Sequence, residues 1–370
     1  MRRRIPVAKA STSCLTAPGQ FLEDWAALYQ NAGHTTFFQT PAWMNAWLGS
    51  IPAETDLYRI DVFDDDGLKL LGAAGRPRRR APRLIGFTEA RLHEFGNPDY
   101  DAIYVEYNDF LTAQGADELR VPALHALLDE LNKTDSVVFR NITPAMKLAV
   151  EKVAASRSLN LRILSEQPVY VCDLKRPRAD GSAFIDRLSA GLRADIRRSH
   201  RAYEERGAVQ CKLAQSTAEK TRAWERLVEL HTARWRARGK AGAFANPQFL
   251  SFHERLCNAA PDHIQLLEIR VGDQTLGILY NFIDGDAVRQ YQTGFLYEDD
   301  KRLMPGLVCH ALACQHYMDK GFALYDFMAG DAEYKRRFGE QKTTLRSIAL
   351  DRTDWRRKAY GVVKKLSGRA

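Results

Sequence analysis

The chain has 370 residues, more than one hydrophobic core usually organises, so two domains are the default. Apolar residues make up 45% and charged residues 27%, a globular balance that excludes a disordered chain. The formal charge of +8, from 54 Lys and Arg against 46 Asp and Glu, favours anionic partners without choosing among nucleotides, phosphorylated substrates, nucleic acid and lipid surfaces.

In chain order, residues 1–20 (MRRRIPVAKASTSCLTAPGQ) are basic, lack the apolar core of a secretory signal, and are expected to form a flexible segment. Residues 21–165 are expected to form a first lobe. Leu57–Phe63 and Leu68–Ala74 alternate about the turn Asp64-Asp65-Asp66-Gly67, which predicts a hairpin. The cationic run RPRRRAPR at 76–83 predicts an exposed loop, followed by short strand-like pieces near Arg83–Phe87 and Ile103–Val105. A helix is predicted over Ala113–Leu131, a strand at Ser136–Arg140, a helix at Pro144–Ser156 and a strand near Leu161–Leu164.

A second domain is expected over 166–352. Val169–Leu174 predicts a strand. Helical spacing then links Phe184, Leu188, Leu192, Ile196 and Tyr203, interrupted at Gly191 and stopped by Gly207. Ser216 and Glu219 form a capping-box signal for a helix with the stripe Trp224, Leu227, Val228, His231 and Trp235. Another helix is predicted at Pro247–Asn258. Three strands follow, Leu266–Val271, Thr275–Phe282 and Ala287–Tyr297, joined by two tight turns, Gly272-Asp273 and Asp284-Gly285. A helix over Gly306–Lys320, apolar around most of its circumference and capped by Gly321, leads to a last core strand at Phe322–Met328.

The chemistry-bearing residues cluster late. No P-loop, GxSxG, HExxH or nucleotide-binding GxGxxG occurs, which removes the kinase, serine-hydrolase and zinc-protease readings. Cys14, Cys172, Cys211, Cys257, Cys309 and Cys314 form no CxxC and are expected to be reduced thiols. Cys309, His310, Cys314 and His316 share one helix, but no second ligand cluster accompanies them, so core packing is expected and no metal. No stretch approaches the roughly 20 apolar residues of a membrane span, and a cytoplasmic location is expected. The tail from Trp355 sets Trp355, Ala359, Val362 and Leu366 among Arg and Lys; it docks on its own protein or makes peripheral membrane contact.

The β-β-β-α-β order of the second half resembles the core of GNAT acyltransferases. YDFMAGDAEYKRRFGEQ (325–341) resembles the DF-x-x-G-D-x-x-Y-K-x-x-F/W-G signature of the CelD-like, or BioF2-like, acyltransferases, relatives of the FemAB aminoacyltransferases. LSAGLRADIRRSHRAYEERG (188–207) and HTARWRARGKAGAFANPQF (231–249) are similar to two further elements of that family, and the matches span about half the chain. The resemblance implies an α/β (α+β) fold of tandem GNAT-like lobes, each a mixed, mostly antiparallel sheet flanked by helices. It also implies transfer of an acyl group from acetyl-CoA or another acyl-CoA to a small-molecule amine or a saccharide hydroxyl by direct attack. Two alternatives stay open: a FemAB-type transferase using aminoacyl-tRNA, and a silent protein that binds an anionic ligand in the same cleft.

Site roles follow from the same resemblance. Arg302, Gly306 and Leu307 are expected to hold the coenzyme A pyrophosphate at a helix N-terminus, although Pro305 stands where the family's motif has a glycine. Tyr334 is expected to be a general acid toward the leaving thiolate. Lys335 is expected to stabilise the oxyanion or a phosphate, and Asp326 to orient it or serve as base. Arg193, Arg197 and Arg201, four apart, would clamp an anionic substrate or the cofactor's 3′-phosphate, or else lie solvated against Glu204 and Glu205. His231 and Trp235 are expected to contact substrate, with packing in the helix's apolar stripe as the alternative for His231.

Overall fold

A computed structural model of the chain describes residues 8–78 and 87–352. It divides into two compact units: Pro168–Thr343, and the chain before it together with the residues from Thr344 onward. The first unit runs through β1 (Lys9–Cys14), α1 (Pro18–Gln30), α2 (Pro41–Leu48), β2 (Thr55–Asp64), β3 (Gly67–Pro77), β4 (Glu89–Leu92), β5 (Leu111–Thr112), α3 (Arg120–Glu130), β6 (Ser136–Ile142) and α4 (Pro144–Ser156). Next, β7 (Asn160–Asp173) leads into the second unit. That unit holds α5 (Lys175–Ala179), α6 (Ala190–Glu204), β8 (Val209–Leu213), α7 (Thr217–Arg236), α8 (Pro247–Ala259), β9 (Ile264–Val271), β10 (Gln274–Asp284), β11 (Ala287–Phe295), α9 (Pro305–Asp319), β12 (Leu324–Ala329) and α10 (Glu333–Phe338). Finally β13 (Glu340–Asp351) returns to the first.

Each unit is a mixed, mostly antiparallel sheet with helices packed on it. The first is ordered β1-β2-β3-β4-β6-β13, with β5 on β3, and the second β8-β9-β10-β11-β12-β7. In the first, every neighbour is antiparallel except β4 and β6. In the second, the exception is β11 and β12. The parallel pair therefore falls at the same place in both sheets, and in both it needs a helical crossover, α3 or α9. The strand that completes each sheet comes from outside the run of the other five: β13 for the first, the end of β7 for the second. This shared order of pairing is the duplication, and it leaves no repeat in the sequence.

Local chemistry sets the second unit's elements. At α7, Ser216 Oγ accepts from the Glu219 amide at 3.3 Å while the Glu219 carboxylate accepts from the Ser216 amide at 3.1 Å, a reciprocal cap. Pro305 opens α9, where a missing N–H costs nothing. Val308, Cys309, Ala313, Cys314 and Tyr317 of α9 are buried in one cluster with Leu267, Ile269, Leu279 and Val288 of the sheet. This explains a helix apolar on nearly every side.

Several expectations are corrected. Residues 9–14 form an edge strand, paired from Lys9↔Phe63 to Cys14↔Tyr58, rather than a flexible segment. Its mostly exposed residues left no alternation to detect. The helix expected from Ala113 begins at Arg120, because Leu111–Thr112 pairs with β3 and Gly115 takes a left-handed φ of 76°. No strand forms at 103–105, where a 3-10 turn ends at Ile103. Phe184–Arg187 is a separate turn, and Ser189 caps a new helix that runs through Gly191. The strands expected near 161–164 and 169–174 are one strand, β7. The second unit ends at Thr343, not 352, because β13 from Arg346 pairs with β6. Most of the 76–83 loop, the strand start at Arg83 and the tail from Trp355 lie outside the described residues. Among the described residues, no helix is long and apolar enough to cross a membrane.

Candidate active site

Strands β11 and β12 lie side by side only from Ala287↔Leu324 to Arg289↔Asp326. Past that point β11 continues against β10 to Phe295, while β12 follows β7 as far as Ala329↔Val169. The two strands splay, and the β11 edge facing the gap loses its strand partner. The base of the wedge is filled by His310 of α9. Its ring stacks on Tyr334 at 4.9 Å and 8°, and meets Phe327 and Phe295 edge-on at 5.2 and 5.4 Å. Beside this stack opens a cleft of about 650 Å³, walled by the end of α7, the end of β11, the start of α9 and α10.

The end of β12 is locked from two sides. Met328 sits at a φ of +63°, a strained value for a side chain of its size. Asp326 Oδ1 accepts from the Met328 amide at 2.7 Å, and Asp326 Oδ2 takes the Arg289 guanidinium at 2.6 Å. Arg289 also pairs with Asp284 at 2.7 Å. From the other side Lys335 Nζ donates to the Met328 carbonyl at 3.2 Å and the Ala329 carbonyl at 2.6 Å. Gly330 takes a φ of +123°, which side chains rarely adopt, and a Cβ there would come within 3.3 Å of that Nζ. Asp326, Gly330 and Lys335 of the motif are thus the parts of one turn, the turn that carries β12 away from β11.

At the mouth of the cleft, the α9 N-terminus offers little to an anion. Pro305 has no N–H, the Met304 amide is taken by Ser199 Oγ at 2.8 Å, and the Leu307 amide bonds back to the Met304 carbonyl at 3.1 Å. The Gly306 amide is the donor left. Charge comes instead from the end of α7 and the turn after it: Arg234 lies 3.8 Å over the Tyr297 ring, a cation–π contact, and Arg238 follows just past the helix. His231, 5% exposed, donates from Nδ1 to the Thr293 carbonyl at 3.1 Å, while its Nε2 is buried without a partner. Burial pushes the imidazole below histidine's ordinary value. His310 is held lower still, at about 3, by burial and by the nearby Lys335 charge. Burial pushes the Tyr334 hydroxyl upward, so it stays protonated; it donates to Gln290 Oε1 at 3.4 Å.

Gly306, Leu307, Tyr334, His231 and Trp235 therefore meet in one cleft. Others expected at the site do not. Lys335, 9% exposed, and Asp326 serve the β12 turn, so neither is placed as an oxyanion donor or a base. Arg302 is exposed and pairs with Asp300 at 2.9 Å and Glu205 at 3.6 Å. Arg193 donates to the Asp186 carbonyl at 3.1 Å, and Arg197 pairs with the Asp186 carboxylate at 3.3 Å. Arg197 and Arg201 line a separate cavity of about 460 Å³ between α6 and α9. A larger one, about 800 Å³, lies among α7, α8 and β9 and holds none of the expected residues. Sequence reasoning missed Arg234, Tyr297 and the placement of His310. For Arg234 a signal existed, since it is the arginine of HTARW, the start of the 231–249 stretch similar to the family. Among the described residues no group of three His, Cys, Asp or Glu stands ready for a metal.

The geometry agrees with what the chain is similar to. Residues 190–336 match the family model described as the acetyltransferase (GNAT) domain, so the second unit carries that domain. The chain as a whole is similar to FemX, with a TM-score of 0.58 and 10% identity over 96% of this chain and 99% of that one. It is similar also to the C-terminal domain (DUF2156) of a putative lysylphosphatidylglycerol synthetase from Agrobacterium fabrum, at a TM-score of 0.54 and 11% identity over 95% and 96%. L-PGS from Bacillus licheniformis gives 0.52 and 11% over 94% and 97%. At such identities the likeness is one of fold alone. No curated protein matches the chain in sequence.

Proposed function

We propose that the protein transfers an acyl group from an acyl-CoA thioester to an amine or sugar hydroxyl that attacks it directly. The observation that carries this reading is the wedge between β11 and β12, opening beside the start of α9, where among the described residues the β11 edge has no strand partner and only its Thr293 carbonyl is met, by His231. Such an edge pairs with an amide-bearing arm as it would with another strand, and the pantetheine arm of coenzyme A is one. The fit at the phosphate end rests on the Gly306 amide together with Arg234 and Arg238, which supply charge-assisted bonds that Pro305 cannot. Tyr334, protonated and beside the wedge, can turn its O–H from the 3.4 Å bond to Gln290 toward the charge that develops on the acyl oxygen or sulfur. With its hydroxyl raised by burial it is a poor source of a whole proton. Acetyl-CoA at about 100 times its Kd would stabilise the fold by about 2.7 kcal/mol. No shift of the melting curve by CoA or its thioesters at millimolar concentration would end this reading.

A second reading, an aminoacyl-tRNA-dependent transferase, is favoured by one observation: the α9 N-terminus keeps a single free amide, a meagre cradle for a pyrophosphate. It predicts RNA carried through purification and released in high salt. The acceptor, a small-molecule amine or a saccharide, and membrane contact through the tail belong with the proposal. So does the division into catalytic second lobe and supporting first lobe.

A further inference from the structure

We infer that His231 is the general base that accepts the acceptor's proton. The argument starts from which nitrogen carries hydrogen. A carbonyl oxygen can only accept, so the 3.1 Å contact between Nδ1 and Thr293 O puts the imidazole's proton on Nδ1. Nε2 is then a bare lone pair. That lone pair is buried with no protein partner, in a residue that lines the cleft. A buried acceptor left unpaired costs stability unless something completes it, and a substrate N–H or O–H is the group that would.

The ring is held for that task. Phe244 meets it edge-on at 4.8 Å and Trp235 lies against it at 5.8 Å, so it cannot swing. Gly294 lets α7 approach β11 closely at this level, since a Cβ there would fall 3.1 Å from the His231 amide nitrogen. The charged and titratable groups facing the cleft beside His231 are Arg234 of α7, Arg238 in the turn after it, Tyr297 just past β11, His310 of α9, and Glu333, Tyr334 and Arg337 of α10. Burial favours a neutral imidazole and outweighs the bond to Thr293, which favours the charged form.

The step rests on the acyl-transfer reading above, and it balances. The acceptor's lone pair forms the new bond to the acyl carbon while its proton moves to His231 Nε2, and the carbonyl π electrons go to oxygen. Collapse then breaks the carbon–sulfur bond, the electron pair leaves on sulfur, and the imidazolium returns its proton to that thiolate. A neutral, low-pKa base suits a neutral hydroxyl or an amine that has begun to bond, and it does not suit extraction of a proton from a free ammonium ion.

The test is His231→Asn, whose side-chain amide keeps the donor to Thr293, measured beside wild type with one acyl-CoA across pH. The expected result is a fall in kcat/KM of roughly 10²–10⁴-fold with the donor's KM unchanged and the acid limb of the profile lost. A fall under about tenfold with the acid limb intact overturns the inference while leaving acyl transfer standing. Nitrogen-15 spectra of the wild-type imidazole give an answer that needs neither turnover nor the variant. A bare Nε2 and protonated Nδ1 at neutral pH support the assignment, and a protonated Nε2 overturns it. Absence of any turnover by wild type would instead count against the proposed function.

Discussion

Gly294→Ala is the sharpest available probe of how α7 is held at the cleft. A methyl group there would lie 2.8 Å from the Leu227 carbonyl oxygen, 2.9 Å from Leu230 Cβ and 3.1 Å from the His231 nitrogen. Ordinary contact begins near 3.4–3.5 Å, so helix and strand must part by about 0.6 Å. Neither side can give locally, because the Leu227 carbonyl belongs to the helix ladder and Gly294 is paired with Ile278 of β10. Overpacking of this kind costs about 1–3 kcal/mol. In a domain of this size about 2 kcal/mol lowers Tm by about 4–8 °C. The same displacement would stretch the His231–Thr293 bond from 3.1 Å to beyond hydrogen-bond range, and misplacement on this scale costs about 10²-fold in rate. Calorimetry and steady-state kinetics on one preparation check both numbers. A variant within about 1 °C of wild type in Tm and with unchanged kcat/KM would refute the contact argument.

Two further outcomes follow from buried charge. Arg289→Met leaves Asp326, 1% exposed, and Asp284 without their shared cation, a loss of about 3–5 kcal/mol; denaturant unfolding of the second unit measures it. In the first unit, burial, and then the Asp101 charge, raise Glu94 to about 8, while Asp101 is itself raised to about 6. An acid whose folded pKa is raised lends its stability below the unfolded pKa, about 4.3, and loses it as pH climbs through 8. Glu94 should therefore weaken the first unit as pH rises from about 5 to 8, its own share being up to about 1.4 kcal/mol per pH unit, and Glu94→Gln should remove that share in a pH series of melting curves. An equal slope in the variant would show that Glu94 is ionised in the fold.

The residues that were legible from sequence are those whose chemistry is local. Ser216 and Glu219 cap a helix because they stand three apart. Asp64 to Gly67 turn a hairpin because nothing else in the chain is needed. The motif from Tyr325 to Gln341 announced its family, but not its roles. Asp326 and Lys335 looked catalytic by position, whereas both are spent on the Met328 turn. The reason is a pairing with Arg289, 37 residues away, and a left-handed residue that no spacing reveals. His310 is core, as expected, but its place under the cleft was not legible, because its stacking partner Tyr334 comes from another element.

What the amino-acid order determined alone is where the tight turns fall and where the helices opened by a local cap or proline begin, those at Pro144, Thr217, Pro247 and Pro305, since such signals act over a few residues. The tertiary structure decided which strands pair. Lys9–Cys14 joined a sheet through backbone bonds that leave no apolar pattern, and β13 crossed back to complete the first sheet. It also decided which polar atoms stay unpartnered. Nε2 of His231 is free only because Nδ1 meets a carbonyl 62 residues away, and long-range contacts of that kind exist only once the chain is packed.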